Sequence, residues 1–268
     1  MEWEVLALGI ALALGVVLPL SAKWRISPRA ALPWALFVGA AAGVLWSWDW
    51  LRAGADLIPL AAAELVTVVL ATGAAVAFMF YRDPERTSPP RKGAVLSPAD
   101  GEVVYVKRIE DGRAPVSEKG GRSFALEELS DIGSAHSGFL IGVGMNLLNV
   151  HVNRAPVGGR VVAARRIEGG FGSLGTEGMV LRNERFTTVV RDGDLEVAVV
   201  QIASRLVRRI VSYLQEGQQV EVGQRIGMIK FGSQVDTILP DTPGLAIKVR
   251  PGDVVKAGLT VIAEIEDG

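Results

Sequence analysis

The 268-residue sequence contains no cysteine and only two histidines, His136 and His151. Without cysteine the chain has no disulfide bond, no thiolate zinc site, no iron–sulfur cluster and no cysteine nucleophile. Two histidines are too few for a multi-histidine zinc site, so no metal is predicted. Lys and Arg together number 28 against 29 Asp and Glu, a formal net charge of -1. This balance lacks the basic field of nucleic-acid-binding proteins, and no nucleic acid partner is expected.

Apolar side chains are in excess, at 49% of residues against 21% charged. The excess lies at the N-terminus, in three stretches that are long enough or nearly long enough to cross a bilayer as helices: Val5–Ala22, Ala30–Trp48 and Leu57–Tyr81. We therefore predict a transmembrane anchor of about three helices over residues 1–81. Because the first two stretches are short and rich in Ala and Gly, a two-span hairpin with an interfacial segment is the alternative.

Basic residues alternate along this anchor. They occupy the first loop and the segment after the third stretch, whereas the second loop has no basic excess; the residues are Lys23, Arg25 and Arg29, then Arg82, Arg86, Arg91 and Lys92. The positive-inside rule then places the N-terminus outside and everything after Tyr81 in the cytoplasm. The prediction is a multi-pass cell-membrane protein with a cytoplasmic domain.

Residues 82–268 have the composition of a soluble, mainly β domain with minor α structure. Short β-branched runs punctuated by Gly, Pro and Asp predict strands at Val103–Lys107, Gly138–Val143, Gly159–Arg166, Thr187–Arg191, Glu196–Gln201 and Val220–Ile229. One helix is expected at Ser204–Gln215, where Leu206, Ile210 and Leu214 recur every four residues.

Two segments of this domain resemble each other. The segments that begin at Glu216 and Pro251 both follow the pattern x-Gly-x-x-Val-x-x-Gly-x-x-Ile/Val. Glycine turns that flank Val or Ile stitch hairpins into a small twisted sheet. We therefore expect a barrel-sandwich of the biotinyl/lipoyl type, and a membrane-anchored adaptor of that fold is one functional alternative.

The Gly232-Ser233 dipeptide lies between two strand-like runs. A serine hydroxyl can attack the preceding carbonyl in a strained turn, because glycine lets the backbone bring the two groups together. Gly-Ser is also common in ordinary loops, so the dipeptide alone does not separate the two interpretations.

Six short motifs provide the context. In chain order they are Phe80-Tyr-Arg-Asp-Pro-Glu-Arg, Ser97-Pro-Ala-Asp-Gly, Asn149-Val-His-Val-Asn-Arg-Ala-Pro, Asn183-Glu-Arg, Val200-Gln-Ile-Ala with Arg208-Arg-Ile-Val, and Ile226-Gly-Met-Ile-Lys-Phe-Gly-Ser-Gln-Val-Asp. In this order they resemble the phosphatidylserine decarboxylase family in its shorter, membrane-anchored form. The resemblance spans most of residues 80–268.

The resemblance implies a proenzyme that cleaves itself between Gly232 and Ser233. Carried over by motif, the family's Asp-His-Ser arrangement falls on Asp100, His151 and Ser233. In this arrangement His151 accepts the serine proton, and Asp100 orients and stabilises the imidazolium. Ser233 becomes a covalent pyruvoyl group, which serves as the cofactor. His151 is also the candidate acid for the protonation that follows decarboxylation.

The implied activity is conversion of phosphatidylserine to phosphatidylethanolamine and CO2 in phospholipid biosynthesis. The implied partners are a serine phospholipid, the membrane, the cleaved small chain 233–268 and a second copy in a homodimer. A decarboxylase of an ether-linked serine phospholipid is the enzymatic alternative, since the headgroup chemistry is identical.

Overall fold

The computed structural model describes residues 2–24, 26–53, 56–111, 113–115, 123–125, 137–169, 183–203, 209–230 and 234–266. The chain forms two compact units. One comprises residues 1–81 with 146–148, and the other comprises residues 82–145 with 149–268. The first unit is helical, and the second is built mainly from strands.

Three apolar helices form the first unit: α1 (Glu2–Lys23), α2 (Pro28–Ala53) and α3 (Leu57–Tyr81). At the start of α2 the Ser27 hydroxyl accepts a hydrogen bond from the Arg29 N–H, and Pro28 occupies the first turn, where its missing N–H costs nothing. All three helices are long and apolar enough to cross a membrane. The three helices predicted from the sequence are therefore confirmed.

Helices α1 and α2 pack at a glycine contact. A Cβ atom on Gly9 would lie 2.5 Å from the carbonyl oxygen of Gly39, and one on Gly39 would lie 2.6 Å from Cα of Ile10. Any side chain at these positions would push the two backbones apart. Gly15 differs, because a Cβ atom there would meet nothing within 4 Å.

The described strands of the second unit are, in chain order, β1 (Ala94–Leu96), β2 (Gly101–Ile109), β3 (Arg113–Pro115), β4 (Ser123–Ala125), β5 (Gly138–Gly144), β6 (Val152–Arg154), β7 (Gly159–Ile167), β8 (Arg185–Asp192), β9 (Leu195–Ile202), β10 (Arg209–Ser212), β11 (Gln219–Val220), β12 (Arg225–Lys230), β13 (Gln234–Pro240), β14 (Leu245–Ile247), β15 (Val254–Val255) and β16 (Val261–Ile265). The mainly β character expected from the sequence is confirmed.

An antiparallel sheet with the strand order β11-β7-β8-β9-β13-β5-β2-β15 forms the centre of this unit, flanked by smaller sheets of order β1-β16-β14 and β10-β12-β6. Strand β13 lies between β9 and β5 and pairs with β5 along its whole length. Its side chains are buried on both faces. Val235 and Leu239 join one hydrophobic cluster, and Ile238 joins another on the opposite face.

The two similar segments occupy equivalent places in the fold. Gly217 and Gly252 open their turns with positive φ angles of 88° and 95°. The N–H of Gly217 donates to Val161 O, and the N–H of Gly252 donates to Val103 O, both at 2.8 Å. The short strands that follow, β11 and β15, pair with the starts of β7 and β2. The repeat seen in the sequence thus places the same glycine turn and the same short strand at each end of the strand order of the large sheet.

The helix expected at Ser204–Gln215 is wrong for its second half. Residues Arg209–Ser212 form β10, which pairs antiparallel with β12, while residues 204–208 lie outside the described residues. The spacing of four that suggested a helix is also a multiple of two, the period of a strand. Ile210 is fully buried and the neighbouring Val211 only partly, as in a strand with one covered face.

Candidate active site

The site is built around the gap between β12 and β13. Strand β12 ends at Lys230 and β13 begins at Gln234. Gly232 and Ser233, the predicted cleavage residues, lie outside the described residues. Lys230 and Gln234 are the described residues on either side of them.

His151 lies beside the end of β12, in the segment that leads into β6. Its carbonyl oxygen accepts a hydrogen bond of 3.2 Å from the N–H of Ile229, and its side chain is fully buried. Its Nδ1 atom lies 2.8 Å from the carbonyl oxygen of Asn149. Because a carbonyl oxygen can only accept, Nδ1 carries the proton and the lone pair of the neutral ring is on Nε2.

The electrostatics of His151 favour the neutral ring. Burial lowers its pKa to about 4, and the positive charge of Arg82 acts in the same direction. The Asn149 hydrogen bond and the negative charge of Asp100 oppose this shift and raise the pKa. At neutral pH the ring is therefore unprotonated, which is the form that a general base requires.

Asp100 lies in the turn between β1 and β2 and is only 5% exposed. Its Oδ1 accepts hydrogen bonds from Arg86 Nη1 at 2.5 Å and from the Ala257 N–H at 2.8 Å, and its Oδ2 accepts one from Arg86 Nη2 at 2.9 Å. The carboxylate is thus held by a bidentate arginine. Asp100 acts on His151 through its charge, whereas Nδ1 of His151 donates its hydrogen bond to the Asn149 carbonyl oxygen and not to Asp100.

Arg86 is the site residue that sequence reasoning missed. It ends the Phe80-Tyr-Arg-Asp-Pro-Glu-Arg motif, which was singled out, but the pattern does not show what the guanidinium contacts. In addition to Asp100, its Nη1 donates to Ala257 O at 2.8 Å. The motif was the signal that could have identified it. The Arg86 side chain is 8% exposed, and an arginine buried to this degree needs an anionic partner.

The same segment is fixed at its other end. Arg154, 3% exposed, donates to Pro84 O at 2.9 Å and to Gly223 O at 3.0 Å. Arg225 pairs with Asp83 at 2.5 Å. Residues 83–86 therefore form a strap across the β unit that delivers Arg86 to Asp100.

A buried pair of amide side chains lies on β6 and β9, the strands that pair with β12 and β13. Gln201 Nε2 donates to Asn153 Oδ1 at 2.8 Å, and both side chains are fully buried. Both residues belong to the matched motifs. The pair links β6 to β9, and Gly227 leaves room for it, since a Cβ atom there would lie 3.1 Å from Gln201 Nε2.

Comparison with known proteins assigns this arrangement to a family. The family model described as phosphatidylserine decarboxylase matches residues 74–263. A protein of Methanocaldococcus jannaschii, provisionally named archaetidylserine decarboxylase proenzyme, is 41% identical over 69% of this chain and 87% of its own. Phosphatidylserine decarboxylase proenzymes of Pelodictyon phaeoclathratiforme and Ralstonia nicotianae are 34% and 36% identical, over 80% and 86% of this chain and 90% and 88% of their own. The chain therefore belongs to the phosphatidylserine decarboxylase family.

Proposed function

We propose that the chain is a self-processing, pyruvoyl-dependent decarboxylase that converts phosphatidylserine to phosphatidylethanolamine and CO2. One observation carries the proposal within the family assignment. A buried, neutral histidine with its lone pair on Nε2 is hydrogen-bonded through its backbone to Ile229, three residues before Gly232 in the chain. Self-cleavage at Gly232-Ser233 needs a base of this kind.

In this proposal His151 removes the hydroxyl proton of Ser233 as the oxygen attacks the carbonyl carbon of Gly232. The peptide C–N bond breaks and an ester forms. Asp100 stabilises the resulting imidazolium through its charge, and Arg86 holds that charge in place. The ester then undergoes β-elimination, which releases Gly232 as a carboxylate and leaves dehydroalanine at position 233. Water adds to the imine form of this residue and displaces ammonia, which leaves a ketone.

The residues present fit a pyruvoyl group. The group forms from the chain itself, so it needs no binding pocket of its own, only a base and two anchored strand ends, which His151, β12 and β13 supply. A pyruvoyl ketone binds the substrate amine and takes up the electrons released on loss of CO2. His151 acts a second time as the proton donor to the substrate carbon.

The position of β13 supports the retention of the cleaved small chain, residues 233–268. Its first strand pairs with β5 over Gln234–Pro240 and with β9 over Gln234–Ile238. Its next strands, β14 and β16, pair with each other, and β16 also pairs with β1. The small chain is therefore a central part of the fold and stays bound through backbone hydrogen bonds on both sides.

Three finer proposals accompany this function. The repeat of glycine turns supports a barrel-sandwich of the biotinyl/lipoyl type for the β unit. The alternation of basic residues supports a multi-pass membrane protein with this unit in the cytoplasm. A homodimer stays a prediction from the family resemblance.

One alternative has an observation in its favour. The Methanocaldococcus jannaschii relative carries a name that refers to archaetidylserine, an ether-linked lipid, and it is 41% identical to this chain. The serine headgroup and the chemistry proposed for His151 are the same for both lipids. The choice between them therefore depends on the lipid chains.

The test is the intact mass of the full-length protein beside Ser233→Ala and His151→Ala, followed by CO2 release from vesicles of phosphatidylserine or archaetidylserine. We expect the wild type to yield a fragment of residues 233–268 that is lighter than the serine form by one ammonia, and both variants to stay whole. A folded wild type that keeps its full length and an ordinary serine overturns the proposal and favours the membrane-anchored adaptor. Activity on archaetidylserine vesicles alone selects the ether-lipid alternative.

A further inference from the structure

A second buried polar group lies directly after the cleavage position, on the opposite face of β13 from Val235. Tyr105 Oη donates to Asp236 Oδ2 at 2.7 Å. Gln234 Nε2 donates to Asp236 Oδ1 at 2.8 Å and to Tyr105 Oη at 2.6 Å. The three side chains form a closed triangle of hydrogen bonds, and none of them belongs to the Asp100–His151 group.

The sheet is adapted to bring Tyr105 to this place. A bulge between Val103 and Tyr105 shifts the register of β2 against β5, so that Tyr105 faces Gly142. Gly142 is also the register partner of Asp236. A Cβ atom on Gly142 would lie 2.5 Å from the tyrosine ring. The missing side chain therefore lets the ring cross β5 and reach Asp236.

Lys107 is the described charged residue outside the triangle that acts on Asp236. Burial raises the pKa of Asp236 to about 6, while the hydrogen bonds from Gln234 and Tyr105 and the charge of Lys107 lower it. Burial and the Asp236 charge raise the pKa of Tyr105 well above its usual value. Lys107 Nζ lies 4.7 Å from the centre of the tyrosine ring. The tyrosine thus keeps its proton, and Asp236 is the group that titrates.

Protonation of Asp236 would break the triangle. Both of its oxygens already accept hydrogen bonds, from Tyr105 and from Gln234. A proton on Oδ1 would point at the Gln234 amide N–H, which can only donate, and a proton on Oδ2 would force the Tyr105 hydroxyl to turn its own proton away from Asp236, so in either case one of the present hydrogen bonds would be lost. The triangle in this form exists with Asp236 ionised.

Its location connects the triangle to the reaction. Gln234 is bonded directly to Ser233, and its backbone pairs with Ile202 and Gly144. If the chain is cut between residues 232 and 233, Tyr105 belongs to the large chain, and Gln234 and Asp236 belong to the small chain. The triangle then links the two products of cleavage at the first described residue of the small chain.

We propose that Tyr105, Gln234 and Asp236 form a positioning network that holds the start of β13, and with it the reacting group at position 233, in place for His151. This inference rests on the proposed function. The network contributes to self-cleavage by restricting the Ser233 backbone, and to decarboxylation by restricting the group that replaces it. The three residues act through position 233 and do not contact the substrate.

The test compares Tyr105→Phe with Thr237→Val in full-length chain synthesised without cells in the presence of phosphatidylserine vesicles and sampled over time by intact mass. Each variant loses one buried hydroxyl. Tyr105 loses two hydrogen bonds with it, whereas the Thr237 hydroxyl is buried with no hydrogen-bond partner among the described residues. We expect Tyr105→Phe to slow the appearance of the 233–268 fragment by about tenfold or more, and Thr237→Val to leave it within about twofold.

Asp236→Asn tests the network through the pH dependence of the cleavage rate, which should not change if Asp236 only stabilises the fold. The wild-type rate of cleavage should fall as the pH falls through about 6, where Asp236 takes up a proton. In Asp236→Asn the plateau should be lower and this step absent, while the step from His151 near pH 4 remains. The processed Tyr105→Phe protein should show a lower kcat with KM unchanged.

The outcomes separate the two proposals. A wild type that never cleaves overturns the proposed function. A wild type that cleaves, together with a Tyr105→Phe variant of the same rate and the same pH profile, overturns only the positioning network. The uncleaved fraction of each variant is melted beside Ser233→Ala. A variant that cleaves slowly but has the same Tm as Ser233→Ala supports the network. If Tyr105→Phe and Thr237→Val both cleave slowly, and both have a lowered Tm, the loss of rate follows from lost stability and the network is contradicted.

Discussion

Replacement of Arg86 by methionine is the sharpest test of the strap that reaches Asp100. The change removes both guanidinium hydrogen bonds from a carboxylate that is 5% exposed and leaves it, among the described residues, only the Ala257 N–H. Loss of one partner of a buried ion pair costs about 3–5 kcal/mol, because the remaining charge stays buried without compensation. For a unit of this size that corresponds to a fall in Tm of roughly 6–20 °C.

The assay is thermal unfolding in the Ser233→Ala background, which the proposed mechanism expects to keep the chain whole. Arg225→Met is the matched control, since Arg225 also pairs with acidic residues of the strap but is 34% exposed, and its partner Glu85 is 87% exposed. Exposed pairs contribute about 0–1 kcal/mol, so this control should lose at most about 4 °C.

A double variant closes the test. Asp100→Asn keeps an oxygen for the Ala257 N–H and removes the charge, so Arg86→Met with Asp100→Asn should recover more than half of the loss. The reasoning is refuted if Arg86→Met melts no lower than Arg225→Met, or if the double variant melts no higher than the single one.

Two further predictions concern pH and the helical unit. The unfolded chain protonates His151 near its usual pKa of 6.5 and the folded chain only near 4, so His151 lowers stability by about 3 kcal/mol as the pH falls between these values. Asp236 has the opposite effect, because its folded pKa is raised from 3.8 to about 6 and it therefore raises stability as the pH falls over nearly the same range. In the Ser233→Ala background Tm should be nearly flat from pH 6 to 4, whereas towards acid it should rise in His151→Gln and fall in Asp236→Asn. The same slope in all three proteins would contradict both assignments. Gly39→Ala should destabilise the α1–α2 contact by about 1–3 kcal/mol and lower the melting temperature in detergent, whereas Gly15→Ala should not; equal melting of the two variants would show that the close approach at Gly39 does not matter.

Much of the fold follows from local patterns. The three helices are long, uniformly apolar runs, and the main strands are β-branched runs between turn residues, so both are read directly from the sequence. The repeat around Gly217 and Gly252 is visible because a positive φ angle restricts the residue that can occupy the turn. The segment around Ile210 was misread, because a spacing of four fits a helix and a strand alike.

The candidate site was only partly predictable. Asp100 and His151 could be named from motifs, but the Asn149 carbonyl that sets the histidine tautomer is a backbone atom and leaves no trace in the sequence. Arg86 lies far from Ala257 along the chain, and their contact depends on the path of the strap. Tyr105 reaches Asp236 only because a bulge and a glycine coincide on neighbouring strands, which no single-strand pattern reveals.

The central place of β13 has a consequence for refolding. In the proposed mechanism β13 forms within one chain before the bond between residues 232 and 233 is cut, and its pairing with β5 and β9 is then an intramolecular event. After the cut, the same pairing joins two molecules, so recovery from denaturation depends on protein concentration and competes with aggregation of the large chain. The cleaved protein then depends on the height of its unfolding barrier, because refolding within a single chain is possible only for the uncut precursor.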